Sequence, residues 1–134
     1  MTIEVRKEHI EEIKKHIEGH DTASVSRLIA GLHASDIGRI LAGLDKAAAV
    51  ELFKLLPPEL ASEVLLEVDE RFRKRLMASI TQGELIEVVE EMETDDAADV
   101  ISEMPVEDAN QVLEGIDKKE SIEVRKLLVH PEDT

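Results

Sequence analysis

The sequence is a twelve-residue repeat. From Asp21 it divides without gaps into nine units that end at Leu128: DTASVSRLIAGL, HASDIGRILAGL, DKAAAVELFKLL, PPELASEVLLEV, DERFRKRLMASI, TQGELIEVVEEM, ETDDAADVISEM, PVEDANQVLEGI and DKKESIEVRKLL. The eighth place of every unit is aliphatic, from Leu28 to Val124, and the twelfth is always apolar. The ninth is apolar in every unit but the last, where Arg125 stands, and the fifth is often Val, Ile, Leu or Ala. Places 5, 8, 9 and 12 are spaced i, i+3, i+4 and i+7, which is one face of an α-helix. No strand-like alternation competes with it.

The first place of each unit is Asp, His, Asp, Pro, Asp, Thr, Glu, Pro or Asp, and most of these suit a helix start. Leu56-Pro57-Pro58 stops one helix and opens the next, because a residue before proline leaves the helical region. Each unit therefore reads as a helix of about ten residues and a tight turn. Helices so short are marginal alone and must be stabilised by neighbours that cover the apolar stripe. Short turns make adjacent helices roughly antiparallel. The expected fold is all-α: a right-handed superhelix, or α-solenoid, of about ten short helices. A single domain is expected over 1–134. Residues 1–20 would form a capping helix, with Ile10, Ile13 and Ile17 on one face of Val5 to Glu18 and Gly19 at its end. Residues 21–128 would form the repeat helices, and 129–134 would begin a linker.

Composition narrows the function. The net charge of −15 opposes binding to nucleic acid and to anionic membrane surfaces, and makes cations or basic surfaces the natural partners. There is no Cys, hence no disulfide framework, thiolate metal site or catalytic thiol. The only aromatics are Phe53 and Phe72, too few for stacking on bases or sugars. No apolar run approaches membrane-spanning length, and MTIEVRKEHIEE is too charged for a signal peptide.

The charge is uneven. Residues 1–67 hold 12 acids and 8 bases, whereas 68–134 hold 19 acids and 8 bases. Between Leu76 and Asp117 there are 13 acids and no Lys or Arg. A solvated face ordinarily intersperses both signs. Within this stretch Asp95 and Asp99 lie one helical turn apart on one face, with Asp96 adjacent. Paired carboxylates of this kind make a hard-oxygen site for Mg²⁺ or Ca²⁺. Ordinary helix chemistry reads the same residues differently, as acids that offset the dipole of a first turn, with Thr94 or Asp95 as N-cap. Spacing alone favours the second reading. Glu63, taken alone, reads as a surface glutamate. His16 and His20 are four apart, but Gly19 is expected to end the helix between them. Arg71, Arg73, Lys74 and Arg75 form the one basic cluster and read as a solvated helix edge. Met77, Met92 and Met104 fall at core places. No nucleophile set, closed metal cage or glycine-rich phosphate loop is present, so an enzyme is not expected.

Three segments carry a resemblance. LLPPELASEVLLEVD (55–69), METDDAADVISEMP (92–105) and VRKLLVHPEDT (124–134) resemble the cytosolic N-terminal domain of the MgtE magnesium channels and transporters. The likeness runs over nearly the whole chain from about Leu32, and DDAAD and PEDT are its most specific parts. It implies a superhelix of short helices on the cytoplasmic side of the membrane, with no direct membrane contact. It further implies paired CBS domains and a connecting helix following in the same polypeptide, then a homodimeric transmembrane pore. Mg²⁺ bound weakly between this domain and the CBS domains would hold the cytosolic part closed. The family's contacts fall on the glutamate of ASEVL and on the first and last aspartates of DDAAD, so the implied metal residues are Glu63, Asp95 and Asp99. The chain ends at Thr134, where the CBS domains would start, so such a site is expected to be half built here. A second reading is an α-solenoid interaction scaffold similar to flagellar motor switch proteins, with a basic partner on the 84–117 face.

Overall fold

A computed structural model describes residues 7–128, which form ten α-helices. These are α1 (Lys7–Glu18), α2 (Thr22–Ile29), α3 (Ala34–Gly43), α4 (Lys46–Leu55), α5 (Pro58–Glu67), α6 (Glu70–Ser79), α7 (Gln82–Glu90), α8 (Thr94–Ser102), α9 (Val106–Gly115) and α10 (Lys118–Leu127). No strand occurs among the described residues. The fold is all-α, with one helix for each repeat unit. Val5 and the segment 129–134 lie outside the described residues.

The first place of the repeat sets each helix start. Asp45 accepts from the Ala48 N–H at 2.9 Å and Asp69 from the Phe72 N–H at 2.8 Å. Asp21 and Asp117 do the same for Ser24 and Glu120. Each satisfies one of the four N–H groups that a helix leaves unpaired at its start. At α7 the cap is reciprocal: Thr81 Oγ1 accepts from the Glu84 N–H, and Glu84 Oε1 accepts from the Thr81 N–H. The end of α1 departs from expectation. The left-handed residue is His20, at φ 56°, and not Gly19. The His20 N–H reaches the Ile17 carbonyl at 3.0 Å and the Asp21 N–H the His16 carbonyl at 2.9 Å. This is a Schellman closure with histidine where glycine is usual.

Contacts divide the chain into two compact units, residues 1–79 and 80–134. In the first, α1 packs on α2 and α4, α3 on α4 and α5, and α6 on α4 and α5. In the second, α7 packs on α9, α8 on α9 and α10, and α9 on α10. Apart from α1 on α4, each helix packs on the next or the next but one, as an apolar stripe repeating every twelve residues dictates. Place 8 is buried throughout except at Leu28, which is half-buried. Each such aliphatic side chain contributes about 1.5–3 kcal/mol of burial.

Two units break the apolar rule at place 5, with Arg73 and Ser121. Both send their donors back eight residues, to the last turn of the preceding helix. Arg73 Nη1 donates to the Leu65 carbonyl at 3.0 Å and to the Val68 carbonyl at 2.9 Å. Ser121 Oγ donates to the Leu113 carbonyl at 2.8 Å. Carbonyls at a helix end lack partners inside the helix, so these polar residues tie adjacent helices together. Arg73 is thereby withdrawn from the basic cluster. Glycine permits close approach at two places: an added Cβ at Gly43 would lie 2.8 Å from Ile10 Cδ1, and one at Gly115 would run into Ile86 Cδ1.

Candidate metal centre

The unit boundary nearly coincides with the charge boundary. Residues 1–79 carry 14 acids and 12 bases, whereas 80–134 carry 17 acids and 4 bases. The second unit therefore has a net charge of −13 against −2 for the first.

Within that unit, α8 fixes which acids face water. Ala97, Ala98, Val100 and Ile101 are all buried at 4% exposure or less. Their side of the helix is committed to the core, so Asp95 and Asp99 project outward and are exposed, with Asp96 half-buried at the edge. The N-cap is Glu93, one residue before Thr94 and two before Asp95, and its side chain makes no capping hydrogen bond. Glutamate is a poor N-cap because its carboxylate is one methylene too far from the first-turn N–H groups. That carboxylate joins those of Asp95 and Asp96: the three offer oxygens within 4.8 Å of one another, which makes them the one such group among the described residues. Asp95 Oδ1 also accepts from the Asp96 N–H at 3.0 Å.

Of the residues implied by resemblance, Asp95 is in this cluster. Asp99 is not; it stands exposed a turn further on, its backbone carbonyl accepting from Ser102 Oγ at 2.6 Å. Glu63 is exposed on α5 of the first unit, between buried Ser62 and Val64. None of the three makes an ion pair among the described residues, nor does Glu93 or Asp96. Sequence reading missed Glu93; its signal was a glutamate at the place where aspartate caps α2, α4 and α10. An exposed set of hard oxygens beside water suits a divalent cation that keeps most of its hydration shell, as Mg²⁺ does. The positive end of the α8 dipole opposes a cation at this position. An ion held here alone is held weakly.

A model of the MgtE intracellular N domain matches residues 32–133. The chain belongs to the MgtE intracellular N domain family. This is not a family of enzymes. No curated protein matches the sequence. Two solved structures share the fold. One is the soluble part of a magnesium transporter, at 19% identity and TM-score 0.79, over 96% of this chain and 51% of that one. The other is the cytosolic domain of the Mg²⁺ channel MgtE in complex with ATP, at 21% identity and TM-score 0.76, over 87% of this chain and 48% of that one. The chain thus spans about half the length of these relatives. The MgtE N match begins at the last place of the first repeat unit and takes in Glu63, Asp95 and Asp99. No described helix is long and apolar enough to cross a membrane.

Proposed function

We propose that this MgtE N domain is a cytosolic Mg²⁺ sensor of a magnesium channel or transporter. Mg²⁺ bridges its acidic face to the CBS domains of the same polypeptide and so favours the closed pore. One observation carries the reading. Three carboxylates without an ion pair, two exposed and one half-buried, are concentrated at the start of α8, in a unit of net charge −13. Two acidic surfaces facing each other repel, and a divalent cation converts that repulsion into attraction. Because Mg²⁺ retains its waters and needs few direct carboxylates, such a site releases the ion as its concentration falls. Coupling to a pore then requires only that the ion bind the closed arrangement more tightly than the open one.

Asp95 at the start of α8 and Asp99 a turn further on supply charge and oxygens, with Glu93 and Asp96 adding to the field at the start. Glu63 is an independent contact on the first unit. In a polypeptide that continues from this chain into the CBS domains, Mg²⁺ should slow limited proteolysis between them. Asp95→Asn or Asp99→Asn should shift the protection to higher Mg²⁺, by about tenfold for a loss of ~1.4 kcal/mol. Protection that ignores Mg²⁺, or that both variants retain at wild-type concentrations, would refute the reading.

A further inference from the structure

The last helix carries a second surface of opposite charge. Ile122 is 49% exposed on α10. Its four neighbours on the helix surface, at i−4, i−3, i+3 and i+4, are Lys118, Lys119, Arg125 and Lys126. These are all four bases of residues 80–134. A unit with 17 acids has gathered its entire positive charge around one exposed isoleucine. Helix stability does not explain the placement. Arg125 and Lys126 suit the negative end of the helix dipole, but Lys118 and Lys119 stand in the first turn, where positive charge is unfavourable. Nor does a solubilising end cap, which would put a polar residue at position 122.

The repeat shows what such a position does elsewhere. Ile122 occupies place 6, as Ile86 does in α7. Ile86 packs where Gly115, at place 11 of α9, leaves room for it. The helix that covers Ile86 is short, has Gly115 near its end, and carries Glu107, Asp108 and Glu114 on its exposed surface. We propose that the Ile122 face of α10 docks a short acidic amphipathic helix of this kind, supplied by another polypeptide. The isoleucine would enter the gap above the small residue, and Lys118 and Lys119 would meet the acids flanking it, with Arg125 and Lys126, held by Ser121 and Glu123, at the margin. Charge complementarity selects the partner and the apolar contact holds it.

The test is a ¹⁵N NMR titration of this chain, at low salt, with a synthetic peptide of residues 93–116, which carries the α8 and α9 sequence. Peptide up to about 1 mM should perturb amides of α10, with sub-millimolar affinity. Ile122→Glu and the double variant Lys118→Glu/Lys119→Glu should each weaken binding by about tenfold or more while circular dichroism is unchanged, since all three side chains are exposed. Charge reversal at exposed Lys46, in the first unit, should leave binding as it was. Absence of α10 perturbations, or binding indifferent to the reversals, overturns the proposal. Perturbation of α10 by protein concentration alone would overturn the choice of occupant in favour of a second copy of the chain.

Discussion

Single residues in this fold carry effects that can be read directly. His20 holds a left-handed conformation that costs an L-residue strain and glycine none. His20→Gly should raise stability by up to about 1 kcal/mol, read as an increase in Tm, while His20→Val should lower it. Sequence alone assigned that role to Gly19, because composition marks glycine as the terminator and only backbone geometry shows which of two adjacent residues turns. Glu120 is a second case. Burial first, then Glu90 and Asp117, push its carboxyl above the usual carboxylate range. The native state therefore binds that proton more tightly than the unfolded chain does. Ionised Glu120 destabilises the fold at neutral pH, and the penalty fades as pH falls through the raised pKa into the ordinary carboxylate range. Glu120→Gln should raise Tm at pH 7 by roughly 1–3 °C, with the gain shrinking as the pH falls through the raised pKa. Asp45 has the opposite sign: the Ala48 N–H, then Lys14, hold its carboxyl low, so its contribution is lost on acidification.

At the scale of helices, the period of twelve is enough to specify nine short elements, α2 to α10, and the face each buries, because places 8, 9 and 12 can share a face only in a helix. The exceptions at place 5 were legible as exceptions but not as ties. Nothing in a string of residues says that Arg73 and Ser121 reach carbonyls of the preceding helix, since that depends on how closely the helices approach. The same approach makes Gly115 sensitive. Gly115→Ala forces Ile86 to move, and overpacking should cost about 1–3 kcal/mol against a helix-propensity gain of ~1 kcal/mol. Ile86→Val removes the clashing methyl, so the double variant should lose less than the single losses combined, as a double-mutant cycle of urea midpoints would show. Thr81→Ala opens the reciprocal cap of α7 and should cost about 1 kcal/mol by the same measurement.

For the molecule as a whole, charge is the organising variable. The acidic half was visible in the sequence, as were Asp95 and Asp99 on one face. That Glu93 leaves its cap to join Asp95 and Asp96, while Asp99 stands apart, came from the course of the backbone into α8. Self-repulsion in the second unit is screened by any salt. At matched ionic strength, then, MgCl₂ should raise the Tm of this chain little more than NaCl does, because a few exposed carboxylates at a helix N-terminus bind the ion weakly by themselves. The sensing proposal is decided on the longer polypeptide, which adds the CBS domains. Small-angle scattering across a Mg²⁺ titration should show the radius of gyration falling, with Asp95→Asn and Asp99→Asn moving the midpoint to higher Mg²⁺. A radius that stays constant, or that falls equally in NaCl of the same ionic strength and in both variants, would contradict a Mg²⁺ bridge at the acidic face of α8.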